Sequence, residues 1–353
     1  MTDPIPVLDL QRRAARFRPE LYAAITRVLD RGVYLLGPEV AAFEEEFADY
    51  TGYRHAVGVA SGTEALRLAM TAGGLEYGDE VVVPAFTAVP TAAAVCAAGG
   101  VPVFADVERR TATMDPQSAT AAVTDRTRFV VPVHLYGRAA TIPQIDGVGV
   151  IEDCAQSHGA VERREGTLAA AYSFYPTKNL GGVGDGGAVV TDDDALAAEI
   201  RFRRVHGMRD GYVHEEISTN SRMSELEAAA MRVFLQHLSG DNARRREIAM
   251  RYREAAPGLD WPEDYPMHVY HLCVVRVSDR DAFRASMPFD TAIHYQRALT
   301  EQPAYARYVR NACPEAEAWA AECVSLPCFP EMTDEEVETV SEALAEAESK
   351  WSR

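Results

Sequence analysis

The chain reads as an α/β protein: a large domain with a mostly parallel sheet flanked by helices, then a smaller C-terminal α+β domain. Three observations carry this. Short apolar runs alternate with helical segments from residue 56 to residue 191. Several runs are apolar on both faces, as strands covered on both sides by helices are. Beyond Asp192 the alternation stops and helices dominate. The 353 residues suit one large domain and one small one, divided as 1–245 and 246–353.

Element by element, residues 19–50 show helical periodicity interrupted at 32–38. Past Pro38, Val40, Phe43 and Phe47 share one stripe, with acids opposite. Strands are expected at 56–59, 80–83, 101–104, 128–133, 149–151, 171–174 and 188–190. Helices are expected at 64–72, 91–98 and 115–123. Residues 86–105 carry no charge, but Pro90, Gly99, Gly100 and Pro102 divide them. A helix, a turn and a strand fit better than a membrane span. Further helices are expected at 195–206, at 224–256 and from Asp334. Strands are expected at 271–277 and near 292–295.

The net charge of −18 excludes a basic nucleic-acid surface and disfavours an anionic membrane. The six cysteines show no C-x-x-C spacing and no zinc pattern, so no metal site is expected. They read as reduced thiols, and the N-terminus lacks the features of a signal peptide. A cytoplasmic location is the expectation.

Of 35 basic residues only Lys178 and Lys350 are lysine. Arginine can replace lysine on a surface, but it stays protonated and cannot act as an amine nucleophile. Lys178 lies in Ser173-Phe174-Tyr175-Pro176-Thr177-Lys178-Asn179, just before a run of glycines. It is either a stray surface residue or an amine kept for chemistry, Schiff-base formation foremost. Gly182, Gly184 and Gly187 spell G-x-G-x-x-G. They lead into a strand rather than opening a helix, so they do not mark a dinucleotide site.

Two more segments stand beside it. Ala60-Ser61-Gly62-Thr63-Glu64 follows a strand and opens a helix. It is a capping box by pattern and equally a phosphate site at the positive helix end. Asp153, in Ile151-Glu152-Asp153-Cys154-Ala155-Gln156, ends a buried strand, the edge where open α/β sheets bind ligands. It could cap the next segment or balance a cationic heterocycle. A phosphate-gripping helix start, a strand-end carboxylate and a loop lysine in one domain are what pyridoxal 5′-phosphate requires.

The chain resembles the DegT-type sugar aminotransferases, a branch of the fold-type-I pyridoxal-phosphate enzymes. The resemblance covers nearly the whole chain and rests on residues 34–38, 61–66, 78–87, 133–137, 152–159, 173–187 and 220–229. It implies that Lys178 is the Schiff-base lysine and then the acid/base, and that Asp153 pairs with the pyridine nitrogen. It further implies that Gln156 meets the ring hydroxyl, that Gly62, Thr63 and Ser173 hold the phosphate, and that Phe86 stacks on the ring. Asn220 matches the asparagine that reaches the phosphate from a partner subunit, so a homodimer with active sites at the subunit interface is implied. His294 and Tyr295 match a pair near the sugar site, and Tyr34 joins the substrate side.

Two stretches depart from the family pattern. Residues 138–151 are shorter than usual, as if a helix were trimmed to a turn. Residues 161–170 lack the usual Gly-Asp. The resemblance implies amination of a nucleotide-linked keto-sugar with glutamate as donor. Gly184-Asp185-Gly186-Gly187 points to C3 of a deoxythymidine-diphosphate sugar ahead of C4 or a cyclitol. The alternative of another class is a non-catalytic protein that keeps the fold as a sensor.

Overall fold

In the computed structural model, which describes residues 4–161 and 163–351, three helices precede the sheet: α1 (Leu10–Arg16), α2 (Arg18–Arg31) and α3 (Pro38–Thr51). α2 stops at Gly32, whose φ of 70° suits a residue without a side chain, and α3 starts on Pro38. The expected interruption is therefore a glycine stop and a proline start. Val40, Phe43 and Phe47 are buried, and both rings meet Phe174 edge-on at 5.3 Å. Burying each such ring contributes about 1.5–3 kcal/mol.

Strand and helix then alternate: β1 (His55–Val59), α4 (Gly62–Ala72), β2 (Glu80–Pro84), α5 (Val89–Ala97), β3 (Val101–Ala105), α6 (Pro116–Ala121), β4 (Thr127–Val130), β5 (Gly149–Asp153), β6 (Thr167–Ser173) and β7 (Gly187–Thr191). They form one sheet in the order β1-β7-β6-β5-β4-β2-β3. β3, β2, β4, β5 and β6 pair in parallel, whereas β7 runs antiparallel to β6 and to β1. Two reversals restore direction, so β1, β5 and β6 end at the same edge. The level pairings Val59 with Gly187 and Gly187 with Ser173 bring three segments together there.

The helices that follow are α7 (Asp194–Arg203), α8 (Glu225–Leu235) and α9 (Leu238–Ala255). The helical stretch expected over 224–256 is two helices, α8 and α9, separated at Gln236 and His237. The remainder holds β8 (Cys273–Arg276), α10 (Arg280–Ser286), α11 (Pro314–Glu322), β9 (Cys323–Leu326) and α12 (Asp334–Trp351). β8 and β9 form an antiparallel pair. The strand expected near 292–295 is only one bridge, between Ala292 and Ser325. The chain leaves the ladder there, and His294 and Tyr295 line a cavity instead.

One apolar cluster gathers residues between Ile248 and Ala347, with Ile5 and Leu8 packed on it. This grouping is the basis for proposing a smaller unit at 246–353. Its start falls inside α9, so a continuous helix joins it to the larger unit. Among the described residues no helix is long and apolar enough to cross a membrane, and no cluster of metal-ligating side chains occurs.

Candidate active site

The end of β1 turns directly into α4. Ser61 is its N-cap, in extended geometry, and Ser61 Oγ accepts the Glu64 N–H at 3.2 Å. The Glu64 carboxylate turns away to Arg67 at 2.7 and 2.8 Å, so only half of a capping box forms. The Gly62 and Thr63 amides belong to the first turn and have no intrahelical acceptor. A Cβ on Gly62 would lie 2.6 Å from Ser173 Cβ. Glycine is what lets the positive end of α4 approach the end of β6.

Asp153 ends β5 and is buried. Its Oδ2 accepts from Thr91 Oγ1 at 2.8 Å and its Oδ1 from the Ala155 N–H at 3.1 Å. Its neighbour Glu152 points the other way and meets His134 and Thr167, each at 2.7 Å. Burial raises the Asp153 carboxyl above its ordinary range, against the pull of its two donors and of Lys178. A carboxylate in that position favours a further cationic partner.

Lys178 lies on the loop joining β6 to β7, and its N–H donates to the Tyr175 carbonyl at 2.8 Å. Burial pushes its amine down to about 8, with Asp153 pulling the other way. Such an amine is free to carry and release a proton near neutral pH. The glycines after it have a structural cause. Glu227 of α8 lies under the loop, and its Oε2 accepts the Val183 N–H at 3.3 Å. A Cβ on Gly182 would overlap the Glu227 carboxylate, and one on Gly186 would crowd its Cγ at 3.3 Å. Burial raises the Glu227 carboxyl to about 7.

These segments enclose an inner cavity of ≈ 300 Å3. Lys178, Asp153, Gly62, Thr63, Gln156 and Ser173 all line it. An outer cavity of ≈ 690 Å3 shares Tyr175 and Lys178 with it and is also lined by His294 and Tyr295. One hydrogen bond crosses between them: Gln156 Nε2 donates to Tyr295 Oη at 2.8 Å. Gln156 Oε1 accepts the Tyr136 N–H at 2.7 Å. His294 Nδ1 lies 2.8 Å from Ser325 Oγ, and burial pushes its imidazole down to about 4.

Phe86, Asn220 and Tyr34 line neither cavity of their own chain, and for Asn220 the expected place is a partner subunit's site. Phe86 is fully buried and stacks on Trp319 with ring centroids 6.1 Å apart. Thr87 and Ala88 take the wall position instead, where the chain bends beyond the end of β2 and Phe86 packs into the core. Asn220 is exposed and accepts from Arg222 Nε at 2.9 Å. Tyr34 is 50% exposed. Thr91, the donor to Asp153, was missed; its place one helical turn after Thr87, just beyond the end of β2, was the available signal.

A mostly parallel sheet with an amine and a carboxylate facing one cavity at its strand ends defines a class, the cofactor-dependent enzymes of amine transfer. The chain belongs to the DegT/DnrJ/EryC1/StrS aminotransferase family, whose profile matches residues 16–345. It is an aminotransferase, and its cofactor is pyridoxal 5′-phosphate. It is 42% identical to the dTDP-3-amino-3,4,6-trideoxy-alpha-D-glucose transaminase of Streptomyces venezuelae, over 98% of this chain and 96% of that one. It is 41% identical to the dTDP-3-amino-3,6-dideoxy-alpha-D-galactopyranose transaminase of Aneurinibacillus thermoaerophilus, over 96% and 98%. The crystal structure of S. venezuelae DesV superposes with a TM-score of 0.92 at 41% identity, covering 98% of both chains. The inner cavity fits the cofactor: unpaired helix-start amides suit a phosphate, and a buried carboxylate short of positive charge suits a protonated ring nitrogen.

Proposed function

We propose that this enzyme aminates C3 of a nucleotide-linked keto-sugar of the deoxythymidine-diphosphate type, with glutamate as donor. The observation that carries the reading is the meeting of Lys178, Asp153 and the Ser61–Thr63 helix start on one inner cavity that opens to a larger one. The choice of C3 is supported by the names of two relatives, both of which are transaminases of 3-amino sugars.

Bound pyridoxal phosphate supplies an electron sink and carries the amino group between the two substrates. The other tasks fall to side chains. The Gly62 and Thr63 amides, with Ser173, hold the phosphate at the start of α4. Asp153 keeps the ring nitrogen protonated, itself oriented by Thr91 and Ala155. Gln156 has one N–H committed to Tyr295, which leaves the other for the ring oxygen. Lys178 Nζ takes a proton from the substrate carbon and returns it on the other side of the exchange. His294 and Tyr295 border the space for the sugar.

Asn220 and Tyr34 are exposed and away from both cavities of their own chain. In the proposed homodimer they complete the neighbouring subunit's site. An active enzyme that sediments as a monomer would overturn this part. For the reaction, the holoenzyme is incubated with glutamate and a dTDP-3-keto-sugar, and the product is examined by NMR. A 3-amino sugar is expected. Amination only of C4 sugars or cyclitols, or cofactor binding without amine transfer, would refute the reading.

A further inference from the structure

Among the described residues three arginines are buried, and two of them are ion-paired. Arg204 meets Glu44, and Arg276 meets Glu322 at 2.7 Å. Arg245, on α9, is 5% exposed and has no carboxylate partner among the described residues. Its Nη1 donates to the carbonyls of Cys328 at 2.5 Å and Tyr270 at 3.5 Å, while its Nε is buried without a partner. The two acids that act on it, Asp241 and Glu331, are both engaged by Arg16. A guanidinium stays charged when buried, so an unpaired one is costly unless something compensates it.

Arg245 lines the outer cavity together with Lys178. His271 lies within the field of both and is held neutral, chiefly by burial. Its Nδ1 faces Asn179 Oδ1 at 3.2 Å, so it adds no charge of its own. Among the described residues the one acid on the wall, Asp290, is solvent-exposed. The outer cavity therefore holds a fixed positive charge in reach of the same space as the reactive amine, and its acid Asp290 makes no ion pair with it among the described residues.

We infer that Arg245 holds a carboxylate of the amino donor, an α-amino acid, while the donor's amine faces Lys178. The inference rests on the transaminase reading above. A nucleotide-sugar would carry its own anion, the diphosphate, so the two substrates must be tested separately.

The two half-reactions separate them. Cofactor-loaded enzyme is mixed with L-glutamate, and the change in cofactor absorbance is followed in single turnovers. The reverse half-reaction is driven with the amino sugar. Arg245→Met should raise half-saturation for glutamate by about 10- to 100-fold, the range for a charge-assisted hydrogen bond. The amino-sugar half-reaction should change by less than about threefold, and Arg245→Lys should recover part of the glutamate loss. Equal weakening of both half-reactions, or no change for glutamate, overturns the inference.

The unmodified enzyme gives a reading that does not depend on how the variants fold. Against glutamate, 4-aminobutyrate lacks the α-carboxylate and 2-aminobutyrate lacks the γ-carboxylate. One of them should react at least about tenfold less well. If neither does, Arg245 is not a donor site. The glutamate half-reaction needs no sugar, so failure of the keto-sugar assignment leaves this measurement intact.

Discussion

The two cavities that meet at Lys178 are built in opposite ways. The inner one takes its walls from residues 61–185, which return again and again to one sheet edge. The outer one draws on residues 6–8, 175–178, α9, 271–272, 290–295 and 326–328, which lie far apart in the sequence and meet only in the folded chain. The difference teaches where generality and choice reside. Chemistry common to every substrate can be written in short motifs at consecutive strand ends. Selection among substrates sits where distant segments meet. Changes in the inner cavity should therefore act on all substrates alike, and changes in the outer cavity should discriminate.

The largest effect belongs to Lys178→Arg, which keeps a charge but removes an amine able to lose a proton. Turnover should fall by about 10³-fold or more with every donor and acceptor, measured in a coupled assay. Loss with one substrate only would break the comparison. Asp153→Asn should come next. It should lower cofactor affinity by about 10²-fold in equilibrium dialysis, because it removes one partner of a buried charge pair. Donor preference among those molecules that still bind cofactor should be unchanged.

Gly62→Ala drives a methyl group against Ser173 and should destabilise the fold by about 1–3 kcal/mol in denaturant titrations. Cofactor affinity should drop with it. Glu227 tests the floor beneath the lysine loop. Its carboxyl is raised to about 7, against 4.5 for an ordinary glutamate. A raised acid contributes stability that is full below about pH 4.5 and is lost as pH rises through about 7. Glu227→Gln should flatten that dependence and, above pH 7, stabilise the protein by roughly 1–3 kcal/mol. A pH–stability curve identical to the parent's would count against the assignment. Tyr295→Phe removes the acceptor of a hydrogen bond that crosses the boundary. It should cost about 1 kcal/mol, spread over both cofactor and sugar binding. An effect on one alone would sharpen the division further.

The inner cavity was legible because its parts are local. A strand end, a helix cap and a loop lysine each leave a pattern a few residues long, and the sheet topology superimposes them. The fold was legible for the same reason, since strand and helix periods differ. The failures share a cause too. Phe86 sits in a recognisable motif, but which way a side chain turns at a strand end depends on packing against Trp319, more than two hundred positions away. The wall positions of Arg245 and His271 had no signal, because an arginine among 33 and a histidine beside a strand look like any other until α9 and β8 pack. Glu227 explains the glycines only once α8 lies beneath them.

The segment at residues 5–8 has a practical bearing. Pro6, Val7 and Leu8 form part of the outer cavity, and the Ile5 carbonyl accepts the Asp290 N–H at 2.9 Å. An affinity tag or fusion partner joined directly ahead of these residues would lie close to the outer cavity. Attachment beyond α12, whose buried face packs on the cluster around Ile248 and Phe283 and which does not line that cavity, keeps clear of it. A laboratory that finds an amino-terminally tagged preparation sluggish should move the tag before doubting the enzyme.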